Sequence, residues 1–539
     1  MVLSPEHHQA LNRRRRIVVQ YDAHGQLGAD FEQWLDFRFN YIDDPDSQID
    51  SVWWDVGAGS WAVYPSEVLP RFEHPGLRLW WEKGIDWTGE LINQTRRRGL
   101  EVFWNHRVSE VDITPTDELE PGHRLMMDAR NPLKQAHPDW VIKTWWWQGM
   151  WNYAVAGVRE HHLDILRELA ELYDLDGIQL DFARHIPCVP VGRQWELRGH
   201  VTEFVRMVRR ELSHVAHQRG RPFLLAARVP RTVHGCELDG LDITTWAREG
   251  LVDILSLGSR SMDVDIEGFA RRVAGCDVKL QPCFDDHHAS DGYRYAPIEY
   301  LRGVFGNWWQ QGADSVMTFN WPNAPSEEYQ RVVGDLWGRG AFNGPGPDSH
   351  GQAYREVGSP TTLAAKDKVF AVERRGGYPW AEGFFNRNDD APLPATPRND
   401  GEPTDLRVRL GDPIRAEADA VKELFMRVVL FGAREGDEFE ATLNGVPLPL
   451  IARDDAHKDP QIFSPRPQPA SGGDGHYAVD PEQKLLCLDF SVDPHLCRLG
   501  VNEASVRIVD RAPYVVTDIV LEKLQVHLSY HPQDEGGRS

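Results

Sequence analysis

Several features that mark specialised protein classes are scarce in this chain. Its six cysteines among 539 residues are scattered and form no CxxC pair, which indicates reduced core thiols rather than a disulfide framework. Acidic residues outnumber basic ones, 82 to 59, and the net charge of −23 disfavours nucleic acid or an anionic membrane as a partner. No run approaches the ~18 apolar residues of a membrane-spanning helix.

Known sequence signatures are also missing. Residues 1–12 are polar and lack the apolar core of a signal peptide, so a cytoplasmic location is expected. The only basic run, residues 13–16, is interpreted as a solvated lead-in to the first strand. Residues 22–28 lack the GxGxxG spacing of a dinucleotide-binding turn. Neither an HxH on the first strand nor an HExxH occurs, so no metal and no cofactor are expected.

What the chain does contain is a regular alternation of apolar strands and amphipathic helices up to about residue 340. The predicted strands are 17–22, 51–55, 101–105, 177–181, 223–228, 253–257, 278–282 and 315–320. Helical patterns separate them, for example over residues 199–217. Strand–helix alternation indicates parallel pairing through right-handed crossovers. Eight such units predict an α/β fold of the (β/α)8 TIM-barrel type, with an open doubly wound sheet as the alternative.

The pattern changes after a linker rich in Pro and Gly at residues 340–351. Apolar and polar residues then alternate with a period of two, as in 406–410 and 524–530, and Asn444-Gly445 is a hairpin signal. These features predict a C-terminal antiparallel β-sandwich. The expected domains are a barrel over residues 14–340 and a sandwich over residues 352–530.

The segment 173–185, YDLDGIQLDFARH, is the most informative for function. In a strand, Gln179 and Asp181 share one face, opposite to Ile178 and Leu180. A polar inner row on a buried strand is costly unless it is used. Because (β/α)8 enzymes place their chemistry at the carboxyl ends of the strands, Asp181 is the leading catalytic candidate.

Four segments resemble the glycosyl-hydrolase-like family ten, a (β/α)8 group related to exopolysaccharide-hydrolase barrels. Residues 62–66, AVYPS, resemble its G-D-A-x-Y-P-S turn, and 98–105, RGLEVFWN, resemble its R-G-I-E-V-x-x-W-x-N strand three. Residues 176–181 resemble its D-G-I-H-x-D strand four, and 246–253 its W-x-x-E-G-L-V-D motif. They occur in the family's order over about 300 residues.

This sequence departs from the family at three places. Gln179 stands where the family usually has His, Phe182 where a second acid is common, and residues 257–260 replace its P-Q-x-Y ending. The resemblance implies a glycoside hydrolase that cleaves a glycosidic bond of an oligo- or polysaccharide without a cofactor. A carbohydrate substrate is therefore the expected partner.

Glycoside hydrolysis requires two carboxyl groups, about 5 Å apart for retention or about 6.5–9.5 Å for inversion. Asp181 is the first, as nucleophile or acid/base, with a salt bridge to Arg184 as its structural alternative. Candidates for the second are Asp285, Asp286 and Glu110, which follow strands seven and three. Asp22 and Asp55, which end strands one and two, are expected to bind sugar hydroxyls or to supply that carboxylate.

Further polar and aromatic residues near strand ends are substrate-binding candidates. Asn and His suit hydroxyl recognition, Arg suits an acidic sugar, and aromatic rings suit stacking. For each of them, core packing or a structural ion pair is the alternative. The candidates are Tyr64, Trp104, Asn105, His106, Arg184, His185, Arg228, Asn320 and Trp321.

Two other classes of function compete with glycoside hydrolysis. A non-catalytic carbohydrate-binding barrel gains weight if no second acid faces Asp181. A metal-dependent hydrolase or isomerase barrel could use ligands near the strand ends, but the expected motifs are missing. The possible ligands are Asp22, His24, His106, His185, Asp285, Asp286, His287 and His288.

Overall fold

Eight parallel strands close into a ring, and a pair of antiparallel sheets follows them. The computed structural model describes residues 4–23, 30–55, 61–72, 75–109, 131–144, 149–183, 186–258, 261–285, 296–321, 348–374, 391–459, 484–513 and 517–532. The strands of the first part are β1 (Ile17–Asp22), β2 (Ile49–Asp55), β3 (Glu101–Arg107), β4 (Val141–Ile142), β5 (Met150–Trp151), β6 (Gly177–Asp181), β7 (Leu224–Val229), β8 (Ile254–Leu257), β9 (Lys279–Phe284) and β10 (Val316–Phe319).

The ring runs in the order β1-β2-β3-β6-β7-β8-β9-β10 and closes where β10 pairs with β1, while β4 and β5 form a separate short ribbon. The helices of the described residues are α1 (Pro5–Leu11), α2 (Phe31–Arg38), α3 (Pro75–Glu82), α4 (Trp87–Arg97), α5 (Pro132–Ala136), α6 (Ala156–Leu172), α7 (Gln194–Arg219), α8 (Val233–Asp239), α9 (Ile243–Arg248), α10 (Ile266–Arg272), α11 (Ile298–Gln310), α12 (Asp348–Glu356) and α13 (Pro360–Leu363). The predicted TIM barrel is confirmed, and all eight predicted strands lie within two residues of the observed bounds.

Side chains fill the barrel interior. The rings of Trp53 and Phe103 stack at a centroid distance of 4.4 Å, and Leu11 of α1 belongs to the same buried cluster. Gly177 on β6 makes room for the Phe103 ring, because a Cβ at that position would lie 2.2 Å from it. The interior is therefore a packed core, so a ligand can bind only at an end of the barrel.

Ion pairs hold the amino-terminal end of the barrel. Arg15 donates to both carboxylate oxygens of Glu101, at 2.8 and 2.6 Å. Asp253 accepts hydrogen bonds from Arg209 at 2.5 Å and from the Leu225 amide at 2.7 Å. These buried pairs tie α7 and the segment before β1 to the strands, at the end that in (β/α)8 proteins serves stability.

The C-terminal part consists of two antiparallel sheets that face each other across a separate apolar core. The strands are β11 (Lys368–Ala371), β12 (Thr404–Leu410), β13 (Val421–Phe431), β14 (Glu438–Leu443), β15 (Val446–Pro447), β16 (Leu450–His457), β17 (Leu485–Ser491), β18 (Gly500–Asp510) and β19 (Val520–Tyr530). Their orders are β11-β19-β13-β17-β16 and β12-β18-β14-β15. The predicted β-sandwich is confirmed.

Glycines on α11 allow the sandwich to pack closely on the barrel. A Cβ on Gly303 would lie 2.0 Å from the carbonyl oxygen of Val369 in β11, and one on Gly411 would lie 2.7 Å from the carbonyl carbon of Gly306. The backbone of α11 is therefore in direct contact with the backbone of the sandwich, with no space for a side chain between them.

Helix α12 packs on the barrel. The Tyr354 hydroxyl lies 2.9 Å from Thr318 Oγ1 of β10, and the Gln48 amide donates to the Tyr354 carbonyl at 2.8 Å. Because residues 322–347 lie outside the described part, the division of the chain at residues 340–352 stays a prediction. None of the helices in the described segments is long and apolar enough to cross a membrane.

Candidate active site

Seven polar side chains meet at the carboxyl end of the barrel. Six of them lie on the inner face of β1, β2, β3, β6 and β7, at or near the carboxyl ends, because alternate residues of a strand share a face. The seventh, Asn320, directly follows β10. All seven are buried, and hydrogen bonds connect each of them to another member of the group. They are Asp22, Asp55, Asn105, Arg107, Asp181, Arg228 and Asn320.

Asp181 forms a two-pronged ion pair with Arg228. The two residues are register partners on β6 and β7, and both side chains are completely buried. Arg228 Nε donates to Asp181 Oδ1 at 2.9 Å and Nη2 donates to Oδ2. Burial works to lower the pKa of the Arg228 guanidinium, but the charge and hydrogen bonds of Asp181, together with the nearby Cys283 and Asp55, outweigh it and the pKa is raised. Arg228 therefore stays charged, and both oxygens of Asp181 are hydrogen-bond acceptors.

Asp22 and Asp55 share a second arginine, Arg107. Its Nη2 donates to Asp22 Oδ1 at 2.6 Å and its Nε donates to Asp55 Oδ2 at 2.8 Å. Asn320 holds Asp22 from the other side, with its Nδ2 donating to Asp22 Oδ2 and its Oδ1 accepting from the Asp22 amide, both at 3.0 Å. Asn320 adopts a φ of 63°, a conformation that Asn tolerates better than most residues.

Asn105 connects the two ion-paired groups. Its Nδ2 lies 2.7 Å from Asp55 Oδ2 and 3.4 Å from Asp181 Oδ2. The two distances together limit the separation of these carboxylate oxygens to about 6 Å. An oxygen separation within that limit is compatible with the ~5 Å between the carboxyl groups of retaining glycosidases.

The charges of this group do not cancel. Three carboxylates face two guanidinium groups, so the group carries an excess of one negative charge if all five are ionised. An oxocarbenium-like transition state carries positive charge. A buried anionic group is therefore suited to stabilise such a transition state by electrostatics.

Asp285 directly follows β9 and is completely buried. It lies close enough to Cys283 for its charge to help raise the pKa of that thiol to about 12, although burial is the largest cause. Four other predicted site residues, Glu110, Arg184, His185 and Asp286, lie outside the described residues. The predicted ion pair between Asp181 and Arg184 therefore stays a prediction. The ion pair that the structure describes for Asp181 is the one with Arg228.

Tyr64, Trp104 and His106 lie behind β3, between the strands and the helices. The Tyr64 hydroxyl donates to Glu168 of α6 at 3.0 Å, and its ring makes an edge contact with Trp104. His106 Nε2 lies 2.9 Å from His162 Nδ1, also on α6. Burial, and then the positive charges around it, lower the pKa of His162 well below its ordinary value. A substrate contact by any of these three residues stays a prediction.

Trp321 is also completely buried in packing. Its ring stacks on His350 of α12 at 4.5 Å and meets the edge of Phe305 at 5.9 Å. This arrangement is the core packing that the sequence offered as the alternative to a sugar-stacking surface, and the stacking role stays a prediction.

Arg107 is the residue that the set of predicted site residues missed. The predicted third strand ended at Asn105, where the apolar run stops, but β3 continues to Arg107. Asn105 and Arg107 therefore both face inward, and His106 faces outward. The charge at residue 107, two positions after Asn105, was the available signal.

Metal binding gains no support from the described residues, among which no group of three or more His, Cys, Asp or Glu side chains could hold a metal ion. Arg107 and Arg228 already form ion pairs with the carboxylates at the barrel mouth. What this arrangement can provide is charge stabilisation and hydrogen bonding.

The model of the family described as Glycosyl hydrolase-like 10 matches residues 37–189. No curated protein matches this chain. Among solved structures, α-L-fucosidase isoenzyme 2 from Paenibacillus thiaminolyticus is 14% identical with a TM-score of 0.37, and the match covers 66% of this chain and 51% of the fucosidase. The chain thus spans about half the length of that enzyme.

Two further solved structures show the same level of likeness. The PgaB (BpsB) glycoside hydrolase domain from Bordetella bronchiseptica is 13% identical with a TM-score of 0.37, covering 64% of this chain and 99% of that domain. The GH36 α-galactosidase AgaA from Geobacillus stearothermophilus is 9% identical with a TM-score of 0.35, covering 96% of this chain and 56% of that enzyme. The resemblance to the glycosyl-hydrolase-like family ten is confirmed by the family model over residues 37–189, the segment that carries Asp55, Asn105, Arg107 and Asp181.

Proposed function

We propose that this chain hydrolyses a glycosidic bond of an oligo- or polysaccharide at the carboxyl-end mouth of the barrel. The observation that supports this most directly is that the Asn105 side chain donates to both Asp55 and Asp181. Two carboxylates at that separation are the minimal equipment of a retaining glycosidase. The match to a glycosyl hydrolase-like family over the same residues adds to it.

We assign the nucleophile to Asp181. Both of its oxygens accept hydrogen bonds from Arg228, and Oδ1 also accepts one from the Ala183 amide at 3.1 Å. These hydrogen bonds hold the carboxylate in a fixed position, from which it can form the ester bond to the anomeric carbon as the leaving oxygen departs. The same donors would stabilise it as the leaving group when water later cleaves the ester.

The general acid must deliver a proton to the leaving oxygen and regain one from water. Asp55 is our first choice, because its distance limit from Asp181 fits retention. Asn105 and Arg107 donate to its Oδ2 and would stabilise the carboxylate that is left after the proton has been delivered. The remaining candidates are Asp22, Asp285, Asp286 and Glu110, each of which ends or follows a predicted barrel strand in the sequence.

The test compares Asp181→Asn and Asp55→Asn with a matched control, Asp253→Asn. Asp253 is also a buried aspartate paired with an arginine, Arg209, but at the opposite end of the barrel. All three variants remove charge from a buried pair, which costs about 3–5 kcal/mol of stability when one partner is left uncompensated. Circular dichroism therefore measures the folded fraction of each variant, and turnover is expressed per folded molecule.

Release of reducing ends is measured on chitin-, cellulose- and starch-derived oligosaccharides and on bacterial exopolysaccharides. We expect turnover by the wild type, a loss of at least about a hundredfold in Asp181→Asn and Asp55→Asn, and little change in Asp253→Asn. Proton NMR of the first product should show a retained anomeric configuration. Full activity of folded Asp181→Asn would show that Asp181 is not catalytic. A product of inverted configuration would rule out Asp181 and Asp55 as the nucleophile and acid of a retaining mechanism.

The second candidate is a carbohydrate-binding barrel without catalysis. The complete burial and mutual neutralisation of Asp181 and Arg228 favour it, because a purely structural ion pair would have the same geometry. Binding of a saccharide by the wild type without any release of reducing ends would select this function over hydrolysis.

A further inference from the structure

Helix α7 is much longer than the barrel requires. It has 26 residues, which corresponds to about 39 Å of helix, whereas a six-residue strand spans about 20 Å. Its buried positions begin only at Val201. Its carboxyl-terminal end is fixed near the start of β6, where Arg219 donates to the Leu175 carbonyl at 2.7 Å. The excess length therefore lies at the other end, beyond the mouth.

A chain of contacts marks the level of the mouth on α7. Phe204 packs on the ring of Tyr153 at 4.8 Å, and the Tyr153 hydroxyl donates to the Val108 carbonyl at 2.5 Å, immediately after β3. The Val108 amide in turn donates to the carbonyl of Asp181. Phe204 is thus level with the polar group, and Trp195, nine residues earlier, lies about 13 Å further out along the helix.

Trp195 is 43% exposed, more than any other tryptophan in the described part of the chain. The Arg198 guanidinium covers its ring at 4.4 Å from the centroid and also lies 3.6 Å from Asp242. Arg193 and Glu196 form a second ion pair beside it at 2.5 Å. The indole is therefore held in place by a cation and bordered by groups that can form hydrogen bonds.

We propose that Trp195 is a stacking platform for a sugar unit several units away from the scissile bond, so that the substrate is a long saccharide rather than a disaccharide. This inference rests on the proposed function. A flat apolar ring bordered by charged hydrogen-bonding groups matches a pyranose, which has an apolar face and a rim of hydroxyls. Val191 and Leu238 are also exposed and would suit a protein partner instead, but an aliphatic side chain provides no flat surface.

The experiment uses the full chain with Trp195→Ala, Trp195→Phe and a control, Phe431→Ala. Phe431 is an aromatic residue of similar exposure, 42%, on β13 of the sandwich. Chito-, cello- and malto-oligosaccharides from disaccharides to octasaccharides are the kinetic substrates. Affinity electrophoresis in gels containing the corresponding polysaccharide gives a binding readout that needs no turnover.

We expect Trp195→Ala to raise KM for the longest cleaved substrate about five- to tenfold with kcat unchanged, and to leave the shortest cleaved substrate unaffected. Trp195→Phe should recover part of the loss, and Phe431→Ala should behave as the wild type. Equal losses at all chain lengths, or no loss at any, would overturn the platform. The platform would also be overturned if Trp195→Ala changed the oligomeric state on size-exclusion chromatography without changing the affinity for the saccharide.

Failure of the proposed function gives a different pattern. If the wild type cleaves nothing, hydrolysis is wrong, whereas retardation in the polysaccharide gel that Trp195→Ala abolishes still supports the platform. If no polysaccharide retards the wild type, the platform is wrong, whatever the catalytic result.

Discussion

A single methyl group at Gly303 should disturb the contact between barrel and sandwich. In Gly303→Ala the new Cβ would lie 2.0 Å from the Val369 carbonyl oxygen and 2.8 Å from its carbonyl carbon, both of them backbone atoms of β11. Ordinary van der Waals contact begins above about 3.4 Å, so α11 and β11 would have to separate by more than about 1 Å. No side-chain rotation can relieve the overlap.

The cost follows from two opposing effects. Overpacking of this kind costs about 1–3 kcal/mol, and replacing a helical glycine with alanine returns up to about 1 kcal/mol. Gly306→Ala, one helical turn later, is the matched control, because its Cβ would meet only Cε of Lys368, at an ordinary contact distance of 3.8 Å. Gly306→Ala should therefore be neutral or stabilise the protein by up to about 1 kcal/mol.

Differential scanning calorimetry and limited proteolysis of the region between barrel and sandwich would measure the effect. We expect Gly303→Ala to lower the transition temperature by several degrees, at about 2–4 °C per kcal/mol, and to speed up cleavage between the domains. Because two domains need not unfold as one unit, the two transitions should also move apart. A Gly303→Ala protein as stable as Gly306→Ala would refute the backbone-to-backbone contact.

Two further predictions concern buried titratable groups. His527 stacks on Phe425 at 4.7 Å, and burial, with the nearby charge of Arg427, lowers its pKa to about 4. The unfolded chain takes up this proton already near pH 6.5. The stability that the neutral ring contributes is therefore complete above pH 6.5 and falls by about 1.4 kcal/mol per pH unit as the pH drops from 6.5 towards 4. Urea titrations should show a flatter pH dependence in His527→Gln, and an unchanged slope would contradict the assignment. Among the six thiols only Cys276 is partly exposed, and burial raises the pKa of Cys283 and Cys497 to about 12. Ellman's reagent should therefore modify one thiol in the native protein and six in urea, and rapid reaction of a second native thiol would be inconsistent with this packing.

The barrel could be predicted from the sequence because strands buried on both faces are continuous apolar runs. That signal ended too early at β3, where polar residues extend the strand. There the hydrogen bonds of Arg107 to Asp22 and Asp55 keep residues 106 and 107 in the sheet. With the end of β3 predicted at Asn105 instead of Arg107, the sequence did not indicate that Asn105 faces inward while His106 faces α6.

Partners within the candidate site were harder to predict than its location. The sequence suggested Arg184 for Asp181 because the two are close along the chain. The described partner, Arg228, is 47 residues away and meets Asp181 through the register of β6 and β7. Likewise, the Tyr64-Pro65-Ser66 turn resembled a family motif, and its described hydrogen bonds go to Glu168 of α6, from both hydroxyls and from the amide of Glu67. Such contacts depend on tertiary geometry that no local pattern encodes.

The position of α12 determines where this chain can be cut. Tyr354 covers Thr318 on β10, the strand that closes the barrel by pairing with β1, and His350 stacks on Trp321. Leu363 of α13 belongs to the same apolar cluster as the barrel. A fragment that ends in the Pro- and Gly-rich stretch at residues 340–351 would lack Tyr354 and expose the outer face of β10 to water. A barrel produced without its companion domain should therefore extend through Leu363 to remain folded.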